Sequence, residues 1–175
     1  MPNPIETSRL KLVPATVEHL RAEIGDRIAF SSLIDAVVPQ EWPPETTVDA
    51  LPLFLQWLEA APDSAGWYGW YGLAQNESKE GLTLIGGAGF LGPPEKGVVN
   101  LGYSVLPRFQ GQGFATEMAA RLIQWAFEDP AIIRIGAETE WANPASVRVL
   151  TKLGFLPSAQ GAGLGAQHFQ LLRSH

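Results

Sequence analysis

The residues best placed to do chemistry lie in one run, Val105-Leu106-Pro107-Arg108-Phe109-Gln110-Gly111-Gln112-Gly113-Phe114-Ala115-Thr116-Glu117. An apolar stretch enters two glycines, and a helical pattern opens directly after them. Glycine has no Cβ, so its backbone N–H groups can come close to a ligand. The first N–H groups of a helix have no partner within it and carry the positive end of its dipole. Such a turn suits a phosphate or pyrophosphate. The alternative is that Gly111 and Gly113 only shape a turn. Two common nucleotide loops fit poorly. The Gly-Lys-Ser/Thr ending of a Walker loop is absent. The dinucleotide fingerprint wants a third glycine where Thr116 stands, and it follows a first parallel strand, whereas an antiparallel run is expected here.

Other reactive groups are few. The chain has no cysteine, which removes disulfides, thiolate metal sites and a Cys nucleophile. His19, His168 and His175 have no ligand spacing, so no metal is expected. Glu138 and Glu140 stand two apart in a strand-like run and so share a face. The net charge of −6 argues against nucleic acid and anionic membranes, and it suits a cationic small molecule or basic peptide. No apolar run approaches the roughly 20 residues of a membrane span. The N-terminus lacks the basic and apolar regions of a signal peptide, so a cytoplasmic protein is expected.

These groups need a scaffold. At 175 residues with 46% apolar and 17% charged, the chain reads as one globular domain over 1–175. Strands are expected at 9–14, 67–74, 82–90, 98–106, 132–139 and 167–172. Helices are expected at 17–24, capped by Thr16, and at 28–37, with a third from an Asp49 cap to near Pro62. Ala115, Met118, Ala119, Leu122, Ile123 and Ala126 mark one face of a strong amphipathic helix. Asn143 caps a last helix, with Pro144 at its first position and Gly154 just beyond its end. The order implies an α/β (α+β) chain with a mixed sheet, antiparallel first and then crossing over.

Gln110-Gly111-Gln112-Gly113-Phe114-Ala115 matches the Q/R-x-x-G-x-G/A signature of the GNAT superfamily, the acetyl-CoA-dependent N-acetyltransferases. Leu101-Gly102-Tyr103-Ser104-Val105-Leu106-Pro107, Gly113-Phe114-Ala115-Thr116-Glu117 and the run from Asn143 through Ser146 to Phe155 also resemble that superfamily. They look most like its ribosomal-protein alanine acetyltransferase branch, as does Thr7-Ser8-Arg9-Leu10-Lys11-Leu12.

The resemblance implies a mainly antiparallel sheet with helices on both faces, splayed between the strands at 98–106 and 132–139 by a bulge near 102–104. The pantetheine arm of acetyl-CoA would pair there with main-chain groups of Ser104, Val105 and Leu106. Gln110, Gly111, Gln112, Gly113, Phe114, Ala115 and Thr116 would hold the pyrophosphate. Asn143 would touch the pantetheine or phosphate region while also capping its helix. Ser146 stands where the branch places a general acid; its other reading is a helix serine bonded to local backbone. The branch often has a glutamate where Asn100 stands, so Glu138 and Glu140 become the base candidates, against their reading as surface groups. Glu117 is read as structural. Residues 39–45 with Trp42, and the 161–165 loop as a lid, would cover an amine acceptor, either a small molecule or a protein N-terminus. Trp42, Trp67, Trp70 and Trp141 could line that pocket, against ordinary core packing, while Trp57 and Trp125 are read as core. The implied activity is acetyl transfer by direct attack in a ternary complex, with no metal, in a monomer or homodimer. The alternative is a non-catalytic CoA-binding module, suggested by Asn100.

Overall fold

The computed structural model describes residues 2–76, 78, 80–158 and 165–173. The strands are β1 (Ile5–Glu6), β2 (Leu10–Pro14), β3 (Gly69–Gln75), β4 (Leu82–Phe90), β5 (Val98–Val105), β6 (Arg134–Glu140), β7 (Leu156–Ser158) and β8 (Ala166–Leu172). They form one sheet in the order β1-β2-β3-β4-β5-β6-β8-β7. Every neighbouring pair is antiparallel except β5–β6. The helices are α1 (Val17–Gly25), α2 (Arg27–Ile34), α3 (Glu45–Val48), α4 (Leu51–Ala60), α5 (Phe114–Glu128) and α6 (Pro144–Lys152). The mixed sheet with helices on both faces is the one expected. Among the described residues no helix is long and apolar enough to cross a membrane.

Period-two alternation sorts the strand residues onto two faces. Trp70, Ala88, Leu101 and Ile135 pack beneath α5, whose Met118, Ala119, Leu122, Ile123 and Ala126 are buried as the helical spacing predicts. Tyr71, Leu73 and Leu84 face the other way, toward Leu20 of α1, Phe30 of α2 and Leu58 of α4. β3 is therefore apolar on both sides. Gly72 is required within it, because a Cβ there would collide with the Met118 sulfur of α5.

Several local signals act as anticipated. Thr16 caps α1 by accepting from the His19 N–H. Asn143 caps α6 through Oδ1, which accepts from the Ser146 N–H at 3.0 Å. Gly154 takes a left-handed φ of 85° just past the end of α6. Asp49 is not the cap of α4. A separate turn, α3, absorbs 45–48, Ala50 stands at the cap position, and Pro52 lies in the first turn of α4. The second helix stops at Ile34, not 37. Asp35 turns left-handed there, and Val37 bonds to main chain of β4 at Leu82 and Leu84. The two-residue β1 is too short to leave an alternating pattern. The 161–164 part of the expected lid lies outside the described residues.

Candidate active site

The site begins where the sheet parts. β5 and β6 pair only from Val98↔Arg134 to Leu101↔Ala137. Beyond those positions β5 continues through Gly102 to Val105 along β4, and β6 continues through Glu140 along β8. The splay is thus present, but the expected bulge at 102–104 is not. The β4–β5 register stays unbroken from Phe90↔Leu101 to Gly86↔Val105. A register irregularity lies instead between β3 and β4, at Gly72/Leu73.

That register corrects the expected main-chain contacts. Asn100 O accepts from Leu91 N at 3.0 Å, and Leu106 N donates to Ile85 O at 2.9 Å. Because ladder contacts alternate along a strand, Ser104 and Leu106 turn their main chain toward β4. Tyr103 and Val105 turn theirs toward the gap. The Val105 carbonyl accepts from Gln110 Nε2 at 2.9 Å, which leaves the Val105 N–H and the Tyr103 peptide groups at the open edge.

The glycine turn leads from this edge into α5. Gly111 and Gly113 have φ of 74° and 84°, a left-handed conformation natural to glycine. Gly113 caps α5 without a side-chain hydrogen bond. A Cβ built on Gly111 meets no heavy atom within 4 Å, so the turn is open at that residue, whereas one on Gly113 would come 3.4 Å from Arg9 Nη2. Arg9 secures it from behind: Nη1 donates to Gln112 O at 2.9 Å, the guanidinium stacks 4.5 Å over Phe114, and Nε meets Glu117 at 2.7 Å. The Gln112 side chain donates back to Arg108 O. The first turn of α5 has no side-chain cap, so its leading main-chain N–H groups lack helical partners, a donor set that fits a diphosphate. Glu117 accepts from Thr7, Ser8 and Arg9, so it ties the N-terminal segment to α5.

On the far side of the gap, the Ser146 hydroxyl lies 2.8 Å from the Tyr103 hydroxyl. Burial raises the Tyr103 pKa, with the Ser146 bond opposing it, so the phenol stays protonated. Tyr103 belongs to a run that resembles the family, but its spacing assigns it no role, since an aromatic residue in a strand reads as packing.

On the helical face of β3–β5, Gly69, Gly87, Gly89 and Gly102 lie in register with Tyr71 and Ser104. A cavity of about 340 Å³ lies over these glycines, under α1, α3 and α4, and it extends to Ser104. Trp42 lines it. Its indole Nε1 donates to Glu23 at 2.7 Å, and the Tyr71 hydroxyl donates to the other Glu23 oxygen at 2.6 Å. Burial raises the Glu23 pKa, and the two hydrogen bonds offset this only in part. Sequence reasoning missed Glu23 because a lone carboxylate on a short amphipathic helix reads as surface. The alternate glycines of β4 were the available signal.

The remaining candidates spread out. Trp67 and Trp70 pack around Trp125, at centroid distances of 4.6 and 5.3 Å, and Trp70 also borders the cavity, which Trp67 does not. Trp141 is 67% exposed. Trp57, expected in the core, is partly exposed and stacks on Tyr68. Glu138 lines a second concavity that meets the first at Leu91 and Gly102, and it lies 3.5 Å from His168. Glu140 is exposed at the end of β6. Asn100 lies over Gly136, where a Cβ would strike its side-chain oxygen.

A half-open parallel seam, beside a helix opened by a left-handed glycine turn, defines an acyl-CoA-type transferase fold. Residues 9–156 match the Acetyltransferase (GNAT) domain model. The chain therefore belongs to the GNAT acetyltransferase family and is an acetyltransferase enzyme, and acetyl-CoA is that family's acyl donor. It is 29% identical over 159 residues to the uncharacterized N-acetyltransferase YjdG of Bacillus subtilis, covering 90% of this chain and 92% of that one. It is 26% identical over 160 residues to an FsC-acetyl coenzyme A-N(2)-transacetylase of Aspergillus fumigatus, covering 86% and 63%. Among solved structures, the ribosomal-protein alpha-N-acetyltransferase RimL in complex with coenzyme A aligns with a TM-score of 0.65 at 19% identity, over 97% of each chain. A ribosomal-protein alanine acetyltransferase from Vibrio fischeri aligns at 0.64 and 18%, over 97% and 96%.

Proposed function

We propose that this enzyme moves an acetyl group from acetyl-CoA to a primary amine by direct attack in a ternary complex. The observation that carries the proposal is the open half of the seam. It faces the glycine turn at one end and the carboxylate-bearing cavity at the other. Relatives named for acetylating a protein α-amine and an N(2) amine support the acceptor class.

The turn amides from Gly111 to Thr116 hold the diphosphate, with Asn143 beside the arm. The Val105 N–H and the Tyr103 peptide groups bond the arm as an added strand. A backbone N–H at this edge also polarises the acetyl carbonyl. The bound thioester supplies an activated acyl group. Ser146, bonded to the protonated Tyr103, donates to the departing sulfur. A thiol of pKa about 8.5 needs only modest help, so this contribution is small. An alkylamine of pKa about 10 needs more, because it must shed a proton before attack. Glu138 in the groove, Glu140 at the strand end and Glu23 in the cavity are the carboxylates on the acceptor face.

Thiol release from acetyl-CoA across an amine panel tests the reading. Turnover is expected, and Ser146→Ala should lower kcat roughly tenfold with KM nearly unchanged, the pattern of a contact made in the transition state. Tight CoA binding with no acceptor acetylated would instead favour a non-catalytic CoA-binding module.

A further inference from the structure

Among the described residues, Glu23 is the one charged group on the cavity wall. Glu23 is held by Trp42 and Tyr71, one donor to each oxygen, so the carboxylate is fixed in place. A carboxylate offers about four lone-pair sites, so two donors leave capacity for an incoming N–H. The rest of the lining is largely apolar, and Phe54 and Tyr68 add aromatic faces to those of Trp42 and Tyr71. Aromatic faces beside an anion attract an alkylammonium and pack against its carbon frame. The volume lies at the low end of the roughly 300–1,000 Å³ typical of ligand pockets.

Register gives the direction. Tyr71 pairs with Gly87, and Gly87 with Ser104, in one row across the sheet. Two strand spacings of about 4.8 Å separate the Glu23 partner from the strand that borders the gap. The cavity that holds Glu23 reaches Gly102, Tyr103 and Ser104 on that strand, so an amine bonded to Glu23 shares one continuous space with the border of the gap.

We infer that Glu23, Trp42 and Tyr71 form the ammonium site of a compact primary amine carried on an apolar or aromatic frame. The inference rests on the acetyl-transfer reading and names its acceptor class. The amine enters as its ammonium and gives one proton to Glu23. Its lone pair forms the N–C bond with the acetyl carbon as the C–S bond of the thioester breaks. A second amine proton goes to the departing sulfur, directly or through Ser146, the third stays on the amide, and Glu23 returns its proton to solvent. A buried carboxylate suits this task, since burial raises its affinity for a proton.

The probes are 2-phenylethylamine and its uncharged isostere 2-phenylethanol, titrated calorimetrically into the CoA-loaded full chain, with acetyl transfer measured in parallel. The amine should bind at least tenfold more tightly than the alcohol. Glu23→Gln should abolish that preference and lower kcat/KM a hundredfold or more, leaving CoA affinity unchanged. Gly102→Val adds a side chain where a Cβ meets nothing within 4 Å, and it should exclude amine and alcohol alike while the protein still melts cooperatively. Amine binding and turnover within twofold of wild type in both variants would overturn the inference. So would acetylation of peptide N-termini by a protein that ignores phenylethylamine, although the transfer reading would then survive. Amine binding abolished by Glu23→Gln, with no transfer to any amine, would support the ammonium site and overturn the transfer reading beneath it.

Discussion

Glu23 and Glu117 are the same residue type pushed in opposite directions. At Glu117, burial would raise the pKa, but hydrogen bonds from Thr7, Arg9 and Ser8 outweigh it and the value falls. A carboxylate with a lowered folded pKa stabilises the fold above its unfolded value and loses that contribution as the pH drops. Glu117→Ala should therefore cost about 1–3 kcal/mol at pH 7, in line with hydrogen bonds to a charged group. In urea unfolding, the gap to wild type should shrink as the pH falls below 4.5. A gap independent of pH would mean that packing, not charge, ties the first strands to α5. Glu23 has the opposite sign: its contribution is most favourable below 4.5 and declines as the pH rises. Glu23 therefore favours the fold less at neutral pH than in acid. Residues whose work is local, such as Asn143 capping three positions ahead, were legible in the sequence. Glu23 and Tyr71 were not, because a contact 48 residues apart leaves no spacing to read.

At the scale of elements, strong periodicity carried the prediction and short segments defeated it. The α5 face and the β4 limits were readable because many apolar positions agree. The boundary between α3 and α4 was not, since one turn and a proline fit either side of Asp49. The orientation of the β5 main chain was also hidden, because only pairing partners decide which peptide groups face the gap. Gly111 belongs to this scale. An alanine there meets no steric obstacle but must hold a φ of 74°, a strain of about 1–2 kcal/mol. Gly111→Ala should lose about that much stability and bind CoA at least tenfold more weakly by calorimetry, as the turn relaxes and its amides swing away. Unchanged affinity would show that the diphosphate is held elsewhere.

Across the whole molecule, the sheet is two leaves. One holds β1 to β5 and the other β6, β8 and β7, and their direct ladder is four residue pairs long. The family motif made the splay legible; its extent depends on register, which sequence does not carry. A molecule that supplies the missing main-chain bonds acts on folding as well as chemistry. It stabilises the native state by RT ln(1 + [L]/Kd), about 2.7 kcal/mol at a hundredfold excess over Kd. Thermal unfolding with desulfo-CoA should show the midpoint climbing with ligand concentration, and a flat midpoint would mean that the seam stays empty. The half-open ladder thus makes the donor a mortar between two courses of masonry, and the unloaded protein is the looser wall.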